Sequence, residues 1–110
     1  MKNVRDIVSS DFKKEVLEAQ VPVAVDFWAP WCGPCHMVAP VVEAVSQKMD
    51  GQVKFVKINT DENRKVAQDY QIMAIPSLVI FKDGVEVHRV VGYVPEEDLE
   101  VQLKNYISSS

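Results

Sequence analysis

Val21-Pro22-Val23-Ala24-Val25-Asp26-Phe27-Trp28 is the stretch on which the fold turns. Successive side chains of a strand point to opposite faces. One face here carries Val21, Val23, Val25 and Phe27, and the other Pro22, Ala24, Asp26 and Trp28. Both faces are largely apolar, the signature of a central strand covered by helices on each side. Asp26 is therefore expected inside the domain, where an unpartnered carboxylate is costly. A charge placed there points to chemistry.

Working outward, the rest of the chain alternates strand-like and helix-like patterns. A short strand is expected over residues 3–7. Ser10 or Asp11 caps a helix through about residue 19, with Phe12, Val16 and Ala19 inward. Residues 34–49 read as a long helix whose stripe is Cys35, Val38, Val42, Val45 and Met49. Pro40 falls within that helix and removes a backbone hydrogen bond, so a kink is expected. Residues 53–59 read as a second buried strand. Asp61-Glu62-Asn63 opens a short helix to Tyr70, with acidic residues in its first turn. Residues 77–81 form an apolar strand, and Asp83-Gly84 is a tight-turn signal leading into a strand over 85–91. Pro95 then opens a final helix with Leu99, Leu103 and Ile107 inward. The order β-α-β-α-β-α-β-β-α implies an α/β domain with a mixed sheet.

The 110 residues read as one domain, 1–110, with 108–110 a frayed tail. A formal charge of −4, with no basic cluster interleaved with aromatics, argues against nucleic acid as a partner. No apolar run approaches the roughly 20 residues that span a bilayer. The segment after Met1 lacks an apolar core, so a cytoplasmic protein is expected. In that compartment paired cysteines are more often catalytic or metal-binding than structural.

The two cysteines of the chain, Cys32 and Cys35, stand three positions apart in Trp31-Cys32-Gly33-Pro34-Cys35. Thiols at that spacing can close a disulfide over one turn. Cys32 precedes the first helical turn, where unpaired N–H groups and the helix dipole favour a thiolate. Cys35 shares the apolar stripe and is expected to be shielded. Cys32 is thus read as an exposed nucleophile and Cys35 as the resolving thiol. Gly33 leaves room for an incoming disulfide, and Pro34 has its φ set for the first turn. No cation, which would further favour the thiolate and make the pair more oxidising, lies between the cysteines. Asp26 is the natural acceptor of the Cys35 proton, its pKa raised by desolvation. Lys57, on the face of Phe55 in the neighbouring strand, is expected to modulate it. The bland alternative has Asp26 satisfying backbone donors and Lys57 solvated.

The chain resembles the thioredoxin family over nearly its whole length. The resemblance rests on the run from Asp26 to Cys35, Pro40, Ile75-Pro76-Ser77, Phe81-Lys82-Asp83-Gly84 and Gly92. It implies a thioredoxin fold, a central mixed sheet with helices on both faces. It also implies dithiol–disulfide exchange on protein substrates, with re-reduction by a thioredoxin reductase. No cofactor would be bound, NADPH and flavin entering only through that reductase, and a monomer is expected. Ile75-Pro76 would form a cis-proline loop facing the dithiol, with backbone groups free to pair with an extended substrate. The apolar docking surface would comprise Trp31, Gly33, Pro34, Ala74, Ile75, Pro76, Val91 and Gly92. Two positions depart from the family's habit: His36 where lysine or arginine is common, and Ala74 where glycine is frequent.

Three other readings compete. A structural zinc site needs four ligands, and only His36 and His88, the latter expected exposed, remain as soft candidates. A docking module would use the apolar surface with an incidental dithiol. An oxidase or isomerase of an oxidising compartment is disfavoured by the Gly33-Pro34 dipeptide. Trp28 reads as structural, Trp31 as a contact residue, and Met37 and Met73 as packing residues.

Overall fold

The structure, a computed structural model, describes residues 3–107. The expected tail at 108–110 lies outside the described residues. The strands are β1 (Val4–Asp6), β2 (Val23–Trp28), β3 (Lys54–Asn59), β4 (Ser77–Lys82) and β5 (Val85–Val91). The α-helices are α1 (Gly33–Lys48), α2 (Arg64–Asp69) and α3 (Glu96–Ile107). One sheet holds all five strands in the order β1-β3-β2-β4-β5. β3 runs parallel to both β1 and β2, while β4 is antiparallel to β2 and β5.

The alternation of β2 divides the core in two. Ala24 joins Val4, Phe55, Leu78 and Ile80 under α1 and α3, where Val38, Val42, Val45, Met49, Leu99 and Leu103 are buried. Val23, Val25 and Phe27 face the other way, onto Val56, Ile58, Val79, Phe81, Phe12, Val16 and Val66. The stripe expected on the long helix is buried throughout, and α1 continues through Pro40.

Three local expectations are corrected. The first helical segment is a 3₁₀ turn (Ser9–Asp11) followed by a π-helical stretch (Lys13–Leu17), and ends before Ala19. Phe12 sits at the junction of the two, packed against Tyr70 and Phe81 at 5.2 and 5.6 Å between ring centroids. The second helix begins only at Arg64, so its first turn holds no acidic residue. The side chains before it are engaged elsewhere: Asn59 Oδ1 accepts from the Asp61 N–H, and Asn63 bridges the Asn59 carbonyl and the Ser9 N–H. Pro95 precedes α3, its carbonyl accepting from the Leu99 N–H at 3.0 Å. The hairpin turn is as expected, with Asp83 and Gly84 at φ of 54° and 78°, the paired left-handed conformations that suit a two-residue hairpin.

Candidate active site

The polypeptide leaves β2 at Trp28, crosses residues 29–32 and enters α1 at Gly33. Cys32 is the N-cap of α1, in extended conformation at φ −87° and ψ 110°. Pro34 sits in the first turn, where its missing N–H leaves nothing unpaired. Cys32 and Cys35 are joined in a disulfide, their Cα atoms 5.3 Å apart. The Cys35 N–H donates to Cys32 Sγ at 3.2 Å. An amide at a helix N-terminus aimed at one sulfur favours negative charge there.

The expected contrast between an exposed Cys32 and a shielded Cys35 is corrected. Both residues are 3% exposed in the disulfide form. Cys32 packs with Ala29, Trp28 and Ile75, because the loop carrying Ile75 folds over it. Its Sγ lies 3.7 Å from the Ile75 carbonyl oxygen, a contact that becomes a hydrogen bond once the sulfur carries a proton. The two thiols are distinguished by the amide aimed at Cys32, which helical periodicity does not reveal.

The Ile75–Pro76 bond is cis. Of the carbonyls in this loop, that of Ala74 accepts from Ser77 Oγ at 2.6 Å and that of Pro76 from the Gly92 N–H at 2.8 Å. Those two carbonyls are therefore occupied within the protein. Pro76 itself is buried, and Ile75 and Gly92 are half-buried, whereas Trp31, Gly33, Pro34, Ala74 and Val91 are exposed. Trp31 is 71% and Met73 91% exposed, so Met73 is a rim residue rather than packing. Met37 is likewise exposed. Trp31 Nε1 donates to Asp61 Oδ2 at 2.8 Å. This anchor, which no local pattern signals, explains why Asp61 does not begin α2.

Behind the disulfide is a cavity of about 180 Å³ lined by Asp26, Trp28, Cys35, His36, Ala39 and Lys57. Asp26 is 3% exposed, and its Oδ1 is buried with no hydrogen-bond partner among the described residues. The bland reading, a carboxylate satisfied by backbone donors, is not what the structure contains. Burial pushes the Asp26 pKa up to about 7, against a smaller opposing pull from Lys57 and a small further push from Asp6. Lys57 is not a free surface lysine: its Nζ lies 5.1 Å over the Trp28 ring and 3.8 Å from Asp6 Oδ2. His36 Nε2 is 2.7 Å from the Pro30 carbonyl, and its ring meets Trp28 edge-on. His88, expected exposed, is half-buried, stacked on Tyr106 and hydrogen-bonded to Gln102.

Comparison with known proteins finds relatives over nearly the whole chain. A sequence model of the thioredoxin family matches residues 3–105. The chain is 52% identical over 107 residues to "Thioredoxin 1" of Nostoc sp., covering 97% of this chain and 100% of that protein. It is 55% identical over 101 residues to "Thioredoxin 1" of Synechococcus elongatus, covering 92% and 94% of the two chains. It is also 42% identical over 108 residues to "Thioredoxin M-type, chloroplastic" of Spinacia oleracea, covering 98% of this chain and 60% of that protein.

Proposed function

The chain belongs to the thioredoxin family and is a protein-disulfide oxidoreductase, a redox carrier working by dithiol–disulfide exchange; from that premise we propose how its residues divide the work. The Cys32 thiolate attacks a disulfide sulfur of a target protein, forming a mixed disulfide and releasing the target's other sulfur as a thiolate. Cys35 then gives its proton to Asp26 and attacks Cys32 Sγ. This closes the Cys32–Cys35 disulfide and releases the second target thiol. Two electrons have passed to the target.

One observation carries the assignment: the Cys35 N–H donates to Cys32 Sγ, and Cys35 Sγ receives no reciprocal donor among the described residues. Asp26 supports the second step because it lines the same cavity as Cys35. With a pKa raised to about 7 it is balanced between acid and base at neutral pH. The cavity sets the Asp26 carboxyl and Lys57 among its apolar lining, polar partners for a water through which the proton reaches solvent. Lys57 tunes this carboxyl. Gly33 and Pro34 keep the approach to Cys32 open.

Targets dock on Trp31, Gly33, Pro34, Ala74, Ile75, Val91 and Gly92, with Pro76 shaping the loop from beneath. The oxidised pair is re-reduced by a thioredoxin reductase. The redox group is the protein's own disulfide, and NADPH and flavin enter only through that reductase. The protein acts as a monomer in the cytoplasm, a compartment that keeps thiols reduced. Relatives named chloroplastic make a plastid the alternative, which cell fractionation separates.

The experiment is a trap. Cys35→Ser, reduced and mixed with a disulfide-bonded target, should accumulate a mixed disulfide through Cys32 and lose turnover. A trapped species linked through Cys35 in the reciprocal Cys32→Ser variant, and none through Cys32, would reverse the roles.

A further inference from the structure

We propose that Arg89 is a positioning residue for target docking, its guanidinium clamping the α2 end of the loop that carries Met73, Ala74 and Ile75 to the dithiol. The inference rests on the docking surface proposed above.

The chain leaves α2 through a tight reversal. The Ile72 N–H donates to the Ala67 carbonyl at 2.8 Å and the Gln71 N–H to the Gln68 carbonyl at 3.0 Å. This pair of hydrogen bonds is the pattern that closes a helix through a left-handed residue, the place where glycine is usual. Here that residue is Gln71, at φ 52°. A side chain disfavours this conformation, so the reversal needs support from outside. The reversal leaves the carbonyls of Tyr70 and Gln71 facing away from the helix.

Arg89 on β5 supplies that support. Its Nη2 donates to the Tyr70 carbonyl at 2.8 Å and its Nη1 to the Gln71 carbonyl at 3.3 Å. Glu86 fixes the guanidinium from the opposite side, accepting from Nε and Nη2 at 2.8 Å each. A planar fork with donors on several edges makes all four bonds at once, which a lysine ammonium does not. Beyond Gln71 the loop runs only four residues to Ile75, whose carbonyl faces Cys32 Sγ. The far end of the loop is held by Ser77 and Gly92. Arg89 is the side chain that holds its near end. Arg89 itself touches neither sulfur, and the Ile75 end of the loop stays held by Ser77 and Gly92, so losing the clamp loosens docking and leaves the couple's own chemistry alone.

The test compares two disulfides of different size. The reduced protein is mixed with insulin, which must dock, and with 2-hydroxyethyl disulfide, which is too small to use the loop. Arg89→Gln should slow insulin reduction about fivefold, equivalent to about 1 kcal/mol. The small disulfide and the Cys32–Cys35 potential against glutathione should stay unchanged. Arg89→Lys should recover part of the loss, and Glu86→Gln should show a smaller version of it. Equal slowing of both disulfides, or an unslowed insulin reaction, overturns the proposal. Ala74→Glu reports on the docking surface itself. If it slows insulin while Arg89→Gln does not, the surface stands and the clamp fails. If neither slows insulin, the surface reading fails and the clamp with it.

Discussion

Asp26 on β2 and Lys57 on β3 are register partners, and Lys57 is in turn the register partner of Asp6 on β1. One lysine thus lies between two carboxylates across three strands. Its ion pair within 4 Å goes outward, to Asp6 at 3.8 Å, and Asp26 keeps an unpartnered buried oxygen. The inner carboxyl feels the cation without being neutralised by it. That arrangement holds its pKa near 7 rather than at the extreme that burial alone would reach.

Stability should therefore fall as pH rises through the acid range. The folded protein keeps the Asp26 proton up to about pH 7, whereas the unfolded chain releases it near 3.8. Between those values the folded state binds more protons, so each step upward in pH favours unfolding. The full difference is on the order of 4 kcal/mol. Asp26→Asn should abolish this slope and stabilise the disulfide form at pH 8 by several kcal/mol. Urea unfolding at pH 5 and pH 8 measures both; equal pH dependence in the two proteins would remove the buried-carboxyl account.

The same substitution should slow the second chemical step. With no base behind Cys35, release of the target from the mixed disulfide should drop roughly tenfold at pH 7. That lies below the usual 10²-fold or more for a positioned base, because a thiol also loses its proton to water. Stopped-flow mixing of reduced protein with a protein disulfide separates attack from release. Slowed attack with unchanged release would contradict the assigned role.

The Lys57 field gives an independent check. Lys57→Met removes the one cation drawing Asp26 down, so the Asp26 titration should move upward by about one pH unit. Carboxyl-carbon NMR across pH 5–9 follows it directly. A downward shift, or none, would mean that Lys57 serves only Asp6 and the Trp28 ring.

What was legible in the sequence is what periodicity encodes. Alternation along β2 placed Val25 and Phe27 on one face and Asp26 on the other, and the spacing of Val38, Val42 and Val45 set the inner face of α1. The inward carboxylate followed from the first pattern, and the disulfide pair from the three-residue spacing of Cys32 and Cys35. What was hidden depends on contacts between distant segments. Asp61 looked like a helix-start acid and is instead the acceptor for Trp31, thirty positions away. Cys32 looked open because it caps a helix, but a loop forty-three positions later covers it. Arg89 carries no local signal, since the carbonyls it holds belong to another element. The π-helical stretch before β2 was equally hidden, because Phe12 and Val16 show ordinary helical spacing.

Gly84 should prove the least replaceable turn residue. It takes a φ of 78°, and a Cβ placed there would sit 2.8 Å from the Leu17 carbonyl oxygen, a backbone atom that cannot swing aside. Gly84→Ala therefore combines a left-handed alanine, about 1 kcal/mol, with a clash that must push the β4–β5 turn off the end of the first helical segment. A loss of about 2 to 3 kcal/mol is expected. The turn lies away from the residues of the dithiol site, so the rate of disulfide exchange at low temperature should be unchanged in the folded variant. Gly51 is the contrast: it also has positive φ, at 85°, but a Cβ there would meet nothing within 4 Å. Gly51→Ala should lose only the conformational part. Equal losses at the two positions, measured by urea unfolding, would show that the contact with Leu17 does not hold the turn in place.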